Sequence, residues 1–230
     1  MTLLDVGCGP GTLTVDLARF TDPGRVIGVD VAESIVDKAR RDAATNHPIV
    51  EFQTADVYQL GFESDTFDIV HAHQVLQHLD DPVAALREMR RVCRPGGLVA
   101  VRDADYAGMA WAPEDARLDR WMGVYRSVAA ANGGQPDAGR HLLGWAMQAG
   151  LTNIDSSASV WCFATPAERA WWGGLWADRI RMSTFADHAI GHAVASAAEL
   201  DELAAGWLDW ARRDDGRFVV LHGEVIGTAD

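Results

Sequence analysis

Short apolar runs alternate with amphipathic stretches along the first 105 residues. Thr2 to Val6 is an apolar run that ends in a glycine-rich turn, and Thr12 to Phe20 has helical spacing. Arg25 to Asp30 reads as a second buried strand, and Glu33 to about Thr45 as a helix. Ile49 to Thr54 and Phe67 to His73 read as strands three and four. Asp81 then offers an N-cap and Pro82 suits the first helical position, ahead of an apolar stripe of Leu86, Met89 and Cys93. Arg94-Pro95-Gly96-Gly97 predicts the end of that helix and a turn into a fifth strand, Leu98 to Arg102. Strands alternating with helices of this length imply βαβ units and a parallel sheet.

The pattern changes after residue 105. Leu118, Trp121, Met122, Tyr125, Val128 and Ala129 stripe one helix. A second, about Ala138 to Ala149, stops at Gly150, and a strand is expected near Ile154 to Phe163. Thr165-Pro166-Ala167-Glu168 forms a capping box that opens a tryptophan-rich helix. Gly173-Gly174 inside that helix predicts either a close backbone approach or a bend, because glycine weakens a helix. Leu200, Leu203, Ala204, Trp207, Trp210 and Ala211 stripe a further helix, and Phe218 to Ile226 closes the chain as a strand. All nine tryptophans fall between Trp111 and Trp210. They read as helix-packing rings first and as the lining of an apolar cavity second. A length of 230 residues suits a single domain, with 1–105 and 106–230 as its two halves.

Charge narrows the partners. With 33 acidic and 20 basic side chains the net charge is -13, which repels phosphate backbones and anionic lipid. Nucleic acid and membrane are therefore not expected as partners. Arg87, Arg90, Arg91 and Arg94 lie at helical spacing and read as a solvated face. Cys8, Cys93 and Cys162 form no disulfide or metal pattern. No signal peptide or membrane-spanning run is legible, so the cytoplasm is the default location.

The chemistry concentrates in Leu3-Leu4-Asp5-Val6-Gly7-Cys8-Gly9-Pro10-Gly11, a strand running into a glycine turn and then a helix. Bare backbone there lets a ligand lie at the carboxyl end of the sheet. The dinucleotide fingerprint G-x-G-x-x-G would need glycine where Thr12 stands; the third glycine is Gly11 instead. Asp5 beside the turn would repel a pyrophosphate and tolerate a ligand with an ammonium and no phosphate. S-adenosylmethionine is such a ligand. Asp30, ending strand two, is placed to accept from two ribose hydroxyls, against the alternative of a helix cap. Ala55-Asp56-Val57 after strand three offers a carboxylate and a backbone N–H to an adenine edge.

These segments, with Phe67-Asp68-Ile69-Val70, Val75-Leu76-Gln77-His78-Leu79, Asp81-Pro82 and Arg94-Pro95-Gly96-Gly97, resemble the class I S-adenosylmethionine-dependent methyltransferases over residues 1 to about 105. The resemblance is to the small-molecule type of ubiquinone and menaquinone biosynthesis. It implies a doubly wound α/β fold, with a mostly parallel seven-stranded sheet in the order 3-2-1-4-5-7-6, the last strand antiparallel, and helices on both faces. It implies that Gly7, Gly9 and Gly11 cradle the methionine part, with Asp30 on the ribose, Val31 against the adenine face, and Asp56 and Val57 at the adenine edge. His73 and Gln74 would sit near the methionine part and the sulfonium. A helical segment ahead of strand one is expected from the resemblance, and this sequence opens directly at the strand. A chain without that segment is expected to bind the cofactor weakly, to be unstable, or not to turn over and so serve as a binding protein.

Methyl transfer is an in-line displacement, so alignment in a dry site supplies most of the catalysis, and a general base is needed only for a protonated, weakly acidic nucleophile. No catalytic residue is assigned. Asp103, Asp105 and Tyr106 follow strand five and could orient substrate, with Asp103 and Tyr106 as the candidates; a polar loop is the equal alternative. His71 and His73 share a strand face without further ligands spaced for a metal. His71-Ala72-His73-Gln74 after strand four lacks the Pro-rich motif of base-amine methylation and the Pro-Cys nucleophile of cytosine chemistry. A small, largely apolar metabolite is the expected substrate, and a nicotinamide-dependent oxidoreductase is the competing enzyme class.

Overall fold

In the computed structural model, which describes residues 1–21, 24–46 and 50–230, the apolar runs become strands. These are β1 (Thr2–Val6), β2 (Arg25–Asp30), β3 (Val50–Thr54), β4 (Phe67–His73), β5 (Cys93–Ala112), β6 (Thr152–Phe163) and β7 (Arg217–Thr228). Ile49, the expected start of strand three, lies outside the described residues. The sheet order is β3-β2-β1-β4-β5-β7-β6, with β7 antiparallel. The pairs β1–β2, β1–β4, β2–β3 and β4–β5 are parallel.

The chain forms two compact units. The first comprises Met1–Asp103, Ala138–Ala158 and Gly223–Asp230. It includes α1 (Thr12–Thr21), α2 (Glu33–Asn46), α3 (Pro82–Val92) and α5 (Leu142–Gln148). Strand alternation divides its core. Leu4 and Val6 pack with Leu86 and Met89 of α3, whereas Leu3 packs with Val36 and Ala39 of α2. Asp81 caps α3 by accepting from Ala84 N–H at 2.9 Å, as its sequence position predicts.

Strand five departs from expectation at both ends. It begins at Cys93, and Arg94-Pro95-Gly96-Gly97 is an excursion inside it: Phe67 faces Cys93, yet Ile69 already faces Leu98. Arg94 is held there by Asp68 at 2.6 Å. The strand also continues to Ala112, so Asp103, Asp105 and Tyr106 are strand residues rather than a polar loop.

The second unit, Ala104–Asp137 with Ser159–His222, holds α4 (Ala116–Ala131), α6 (Pro166–Met182), α7 (Thr184–Gly191) and α8 (Ala197–Ala211). The α7 helix carries no stripe strong enough to stand out in the sequence. The rings of Trp121, Trp176 and Trp207 are fully buried against one another, with Trp121 edge-on to both others at 4.6 and 4.8 Å. Thr165 and Glu168 form the capping box at the start of α6.

The Gly173-Gly174 pair is explained by a close approach. A Cβ on Gly173 would sit 2.8 Å from the Trp207 carbonyl oxygen and from Ala211 Cβ on α8, while one on Gly174 would meet nothing within 4 Å. Neighbouring substitutions therefore have opposite signs. Gly173→Ala should lose about 1–3 kcal/mol through overpacking. Gly174→Ala should gain up to about 1 kcal/mol from helix propensity. Urea denaturation midpoints of the two variants check this, and equal shifts would contradict the packing described.

Candidate functional site

Four parallel strands end at a common edge, and the chain reverses its winding between β1 and β4. A crevice at the carboxyl ends of strands is expected at that switch point. The structure has a cleft there of about 450 Å³, within the range of about 300–1,000 Å³ typical of small-molecule sites. Its floor is Val6 and Gly7 from the end of β1. Val29, Asp30 and Val31 come from β2, and Ala55 to Tyr58 from the loop after β3. Gln74, Val75, His78 and Leu79 form the wall after β4.

The three glycines of the turn have positive φ, +67° at Gly7, +53° at Gly9 and +83° at Gly11, but different surroundings. A Cβ on Gly7 would lie 2.4 Å from Val75 Cγ2, so its absence lets the two sides of the cleft floor approach. A Cβ on Gly11 would strike the Phe52 ring at 2.6 Å; this glycine serves the packing of the turn on β3 and does not line the cleft. Gly9 faces open space and donates its N–H to Asp30 Oδ2 at 3.0 Å.

Asp30 braces the turn from the neighbouring strand. Its Oδ1 accepts from Ala32 N–H at 3.0 Å, ahead of α2, while Oδ2 holds Gly9. Each oxygen retains a lone pair for a ligand hydroxyl. Cap and ligand roles are thus compatible. Asp56 accepts from Tyr58 N–H at 2.9 Å, which folds the loop after β3 into an Asx turn. The Tyr58 hydroxyl donates to Asp80 and accepts from Asp81 N–H, tying this loop to the start of α3. Val31 is 72% exposed and presents an apolar face at the cleft mouth.

Asp5 requires a correction. Its carboxylate does not face the cleft. It is buried, accepting from the Thr14 hydroxyl at 2.6 Å and lying 2.8 Å from His71 Nδ1. Alternation along β1 turns Asp5 toward α1, and the register places it opposite His71 on β4. The carboxylates that line the cleft are Asp30 and Asp56, and no Lys or Arg is among the lining side chains.

His73 is half-buried, its ring parallel to that of His71 at 6.5 Å. Burial, with Arg102 nearby, lowers its pKa to about 4 and keeps it neutral. It does not line the cleft, whereas Gln74 does, with φ +56° and its N–H donated to the Arg102 carbonyl at 2.7 Å. Neither substrate candidate is among the residues that line the cleft. Asp103 is fully buried on β5, and Tyr106 is buried with its ring stacked on Tyr125 at 4.1 Å. Val75, His78 and Leu79, marked in the sequence only as part of a segment that carries the resemblance, and Tyr58, with no sequence signal beyond following a strand end, complete the cleft.

Residues 4–101 match the family described as Methyltransferase domain. An uncharacterized methyltransferase of Schizosaccharomyces pombe is 36% identical over 235 residues, covering 97% of this chain and 83% of the relative. The chain belongs to the class I S-adenosylmethionine-dependent methyltransferases. A ubiquinone biosynthesis O-methyltransferase of Bartonella tribocorum is 31% identical over 111 residues, covering 48% of this methyltransferase and 44% of the relative. Among solved structures, the YcgJ protein of Bacillus subtilis shares the fold with a TM-score of 0.62 at 19% identity, covering 99% and 91% of the two chains. Phosphoethanolamine N-methyltransferase 2 of Haemonchus contortus aligns with a TM-score of 0.59 at 19% identity, covering 98% of this chain and 48% of that one.

The methyltransferase fits the cofactor its family uses. The cleft is apolar along Val31, Val57, Val75 and Leu79 and carries the Asp30 carboxylate. Among the described residues no helix is long and apolar enough to cross a membrane.

Proposed function

We propose that the protein transfers the methyl group of S-adenosylmethionine to a small, largely apolar metabolite, with the cofactor lying in the cleft at the ends of β1 to β4. The observation that carries this reading is the lining itself: two carboxylates, apolar walls and no Lys or Arg side chain. A positively charged nucleoside suits that field, and a pyrophosphate does not. The cofactor supplies an electrophilic methyl on a sulfonium, whose charge is lost as the methyl leaves.

The side chains have distinct tasks in this reading. Asp30 accepts from the ribose while keeping the Gly9 turn in shape, and Val31 packs on one adenine face. Asp56 and the Val57 backbone meet the adenine edge. Gly7 and Gln74 flank the methionine part, and the apolar wall excludes water from the displacement. The net charge of -13 argues against polyanionic acceptors. The relative named for ubiquinone biosynthesis O-methylation supports a small acceptor with an apolar body.

Isothermal calorimetry with S-adenosylhomocysteine tests the assignment. Asp30→Ala should weaken binding by about 1.5–3 kcal/mol, the range for hydrogen bonds to a charged group. Unchanged affinity would remove Asp30 from the site.

A further inference from the structure

The turn Leu76–His78, a single 3-10 turn, is capped from outside its own segment. Val75, its cap residue, supplies no side-chain acceptor. The acceptor comes from β5. Gln77 N–H donates to Asp103 Oδ1 at 3.0 Å, and the N–H groups of Leu76 and Val75 favour the charge of the same carboxylate. One residue earlier on β5, the Arg102 carbonyl takes the N–H of Gln74, which sits in the left-handed region disfavoured for a residue with a Cβ. The strand thus grips residues 74 to 77 in succession. Gln74 and Val75, with His78 and Leu79 just beyond, are the wall of the cleft after β4.

We propose that Asp103 is a positioning residue for cofactor binding, fixing this wall through the backbone of Val75 to Gln77. The proposal rests on the cofactor reading given above. A neutral acceptor would cap the turn without the cost of burying a charge. Here a carboxylate is fully buried, and its Oδ2 has no hydrogen-bond partner. What the charge adds is a stronger acceptor for the backbone and a negative field behind a wall that meets a cationic ligand.

Burial pushes the Asp103 carboxyl up to about 7, against the opposing pull of the backbone N–H groups and Arg102. The carboxylate is the form that holds the wall. Affinity for the cofactor therefore rises as pH climbs through about 7 and falls as the carboxyl protonates. Other charged or titratable groups on the surrounding elements are Arg102, paired with Glu224 of β7, and Asp105 on β5; Asp68, His71 and His73 of β4; His78 of the turn; Arg140 and His141 of the neighbouring 3-10 turn Ala138–His141; and Arg87, Glu88, Arg90 and Arg91 of α3. Replacing Asp103 separates its contribution from theirs.

The test is calorimetric titration with S-adenosylhomocysteine from about pH 6 to about pH 8, on the native chain and Asp103→Asn. Native affinity should fall about fivefold toward the acid end, with its midpoint near 7. Asp103→Asn should bind about tenfold more weakly at the alkaline end and show no such step. A purely structural cap would shift the melting temperature and leave the pH profile of affinity in place. Native binding without a step near 7, or an unchanged profile in Asp103→Asn, would overturn the proposal. If Asp103→Asn does not fold, carboxyl carbon NMR on the native protein decides. The Asp103 resonance should titrate at lower pH with S-adenosylhomocysteine bound, and an unmoved midpoint would overturn the proposal. Failure of the native chain to bind at any pH would instead reject the cofactor reading, and this proposal with it.

Discussion

Gly7→Val should lower the affinity for S-adenosylhomocysteine by about a hundredfold or more, equivalent to at least about 2.7 kcal/mol. Two effects combine. The residue has φ +67°, where a β-branched side chain is strongly disfavoured. Its Cβ would also lie 2.4 Å from Val75 Cγ2, forcing Val75 away from the position from which it lines the cleft. Calorimetry reads the affinity, and circular dichroism confirms that the sheet persists. Gly96→Ala is the control: its φ is +74°, its Cβ meets nothing within 4 Å and it does not line the cleft, so only the backbone cost of about 1–2 kcal/mol applies. Equal losses in the two variants would mean that the Gly7–Val75 contact does not shape the site.

Trp207→Ala should destabilise the second unit by about 3–5 kcal/mol, the cost of emptying a buried aromatic site. Trp207 is fully buried, edge-on to Trp121, stacked at 6.0 Å on Trp176 and 5.1 Å from Phe218. Domains have only about 5–15 kcal/mol of stability, so much of the margin would go. Trp207→Phe should cost far less. It keeps most of the ring and removes an indole N–H that has no hydrogen-bond partner in the structure. Urea denaturation followed by tryptophan fluorescence measures both. A loss below about 1 kcal/mol for the alanine variant would contradict the packing described.

The alternating half of the chain was legible because each strand ends in recognisable punctuation. The glycine turn, Asp30 and Asp56 fall at strand ends, and strand ends are where the cleft lies. The direction of Asp5 was not legible. Leu3, Leu4, Asp5 and Val6 are all buried, so β1 shows no polar alternation to mark its faces, as is usual for a central parallel strand. Only the tertiary pairing with Thr14 and His71 reveals which way the carboxylate turns. Strand five was read short for a related reason. Asp103-Ala104-Asp105 has loop composition, yet Asp103 is buried as a cap for a turn 26 positions earlier in the chain, and Asp105 accepts from Gly108 N–H. Trp121, Trp172, Trp176, Trp207 and Trp210 are buried as packing residues, because rings at helical spacing report burial whatever they touch, whereas Trp161 and Trp171 are exposed.

A crystal structure with S-adenosylhomocysteine bound tests the central claim most directly. The expected result is an adenine between Val31 and Val57 with both ribose hydroxyls on Asp30, and Asp5 still held by Thr14 and His71. A ligand seated elsewhere, or ribose hydroxyls turned away from Asp30, would contradict it.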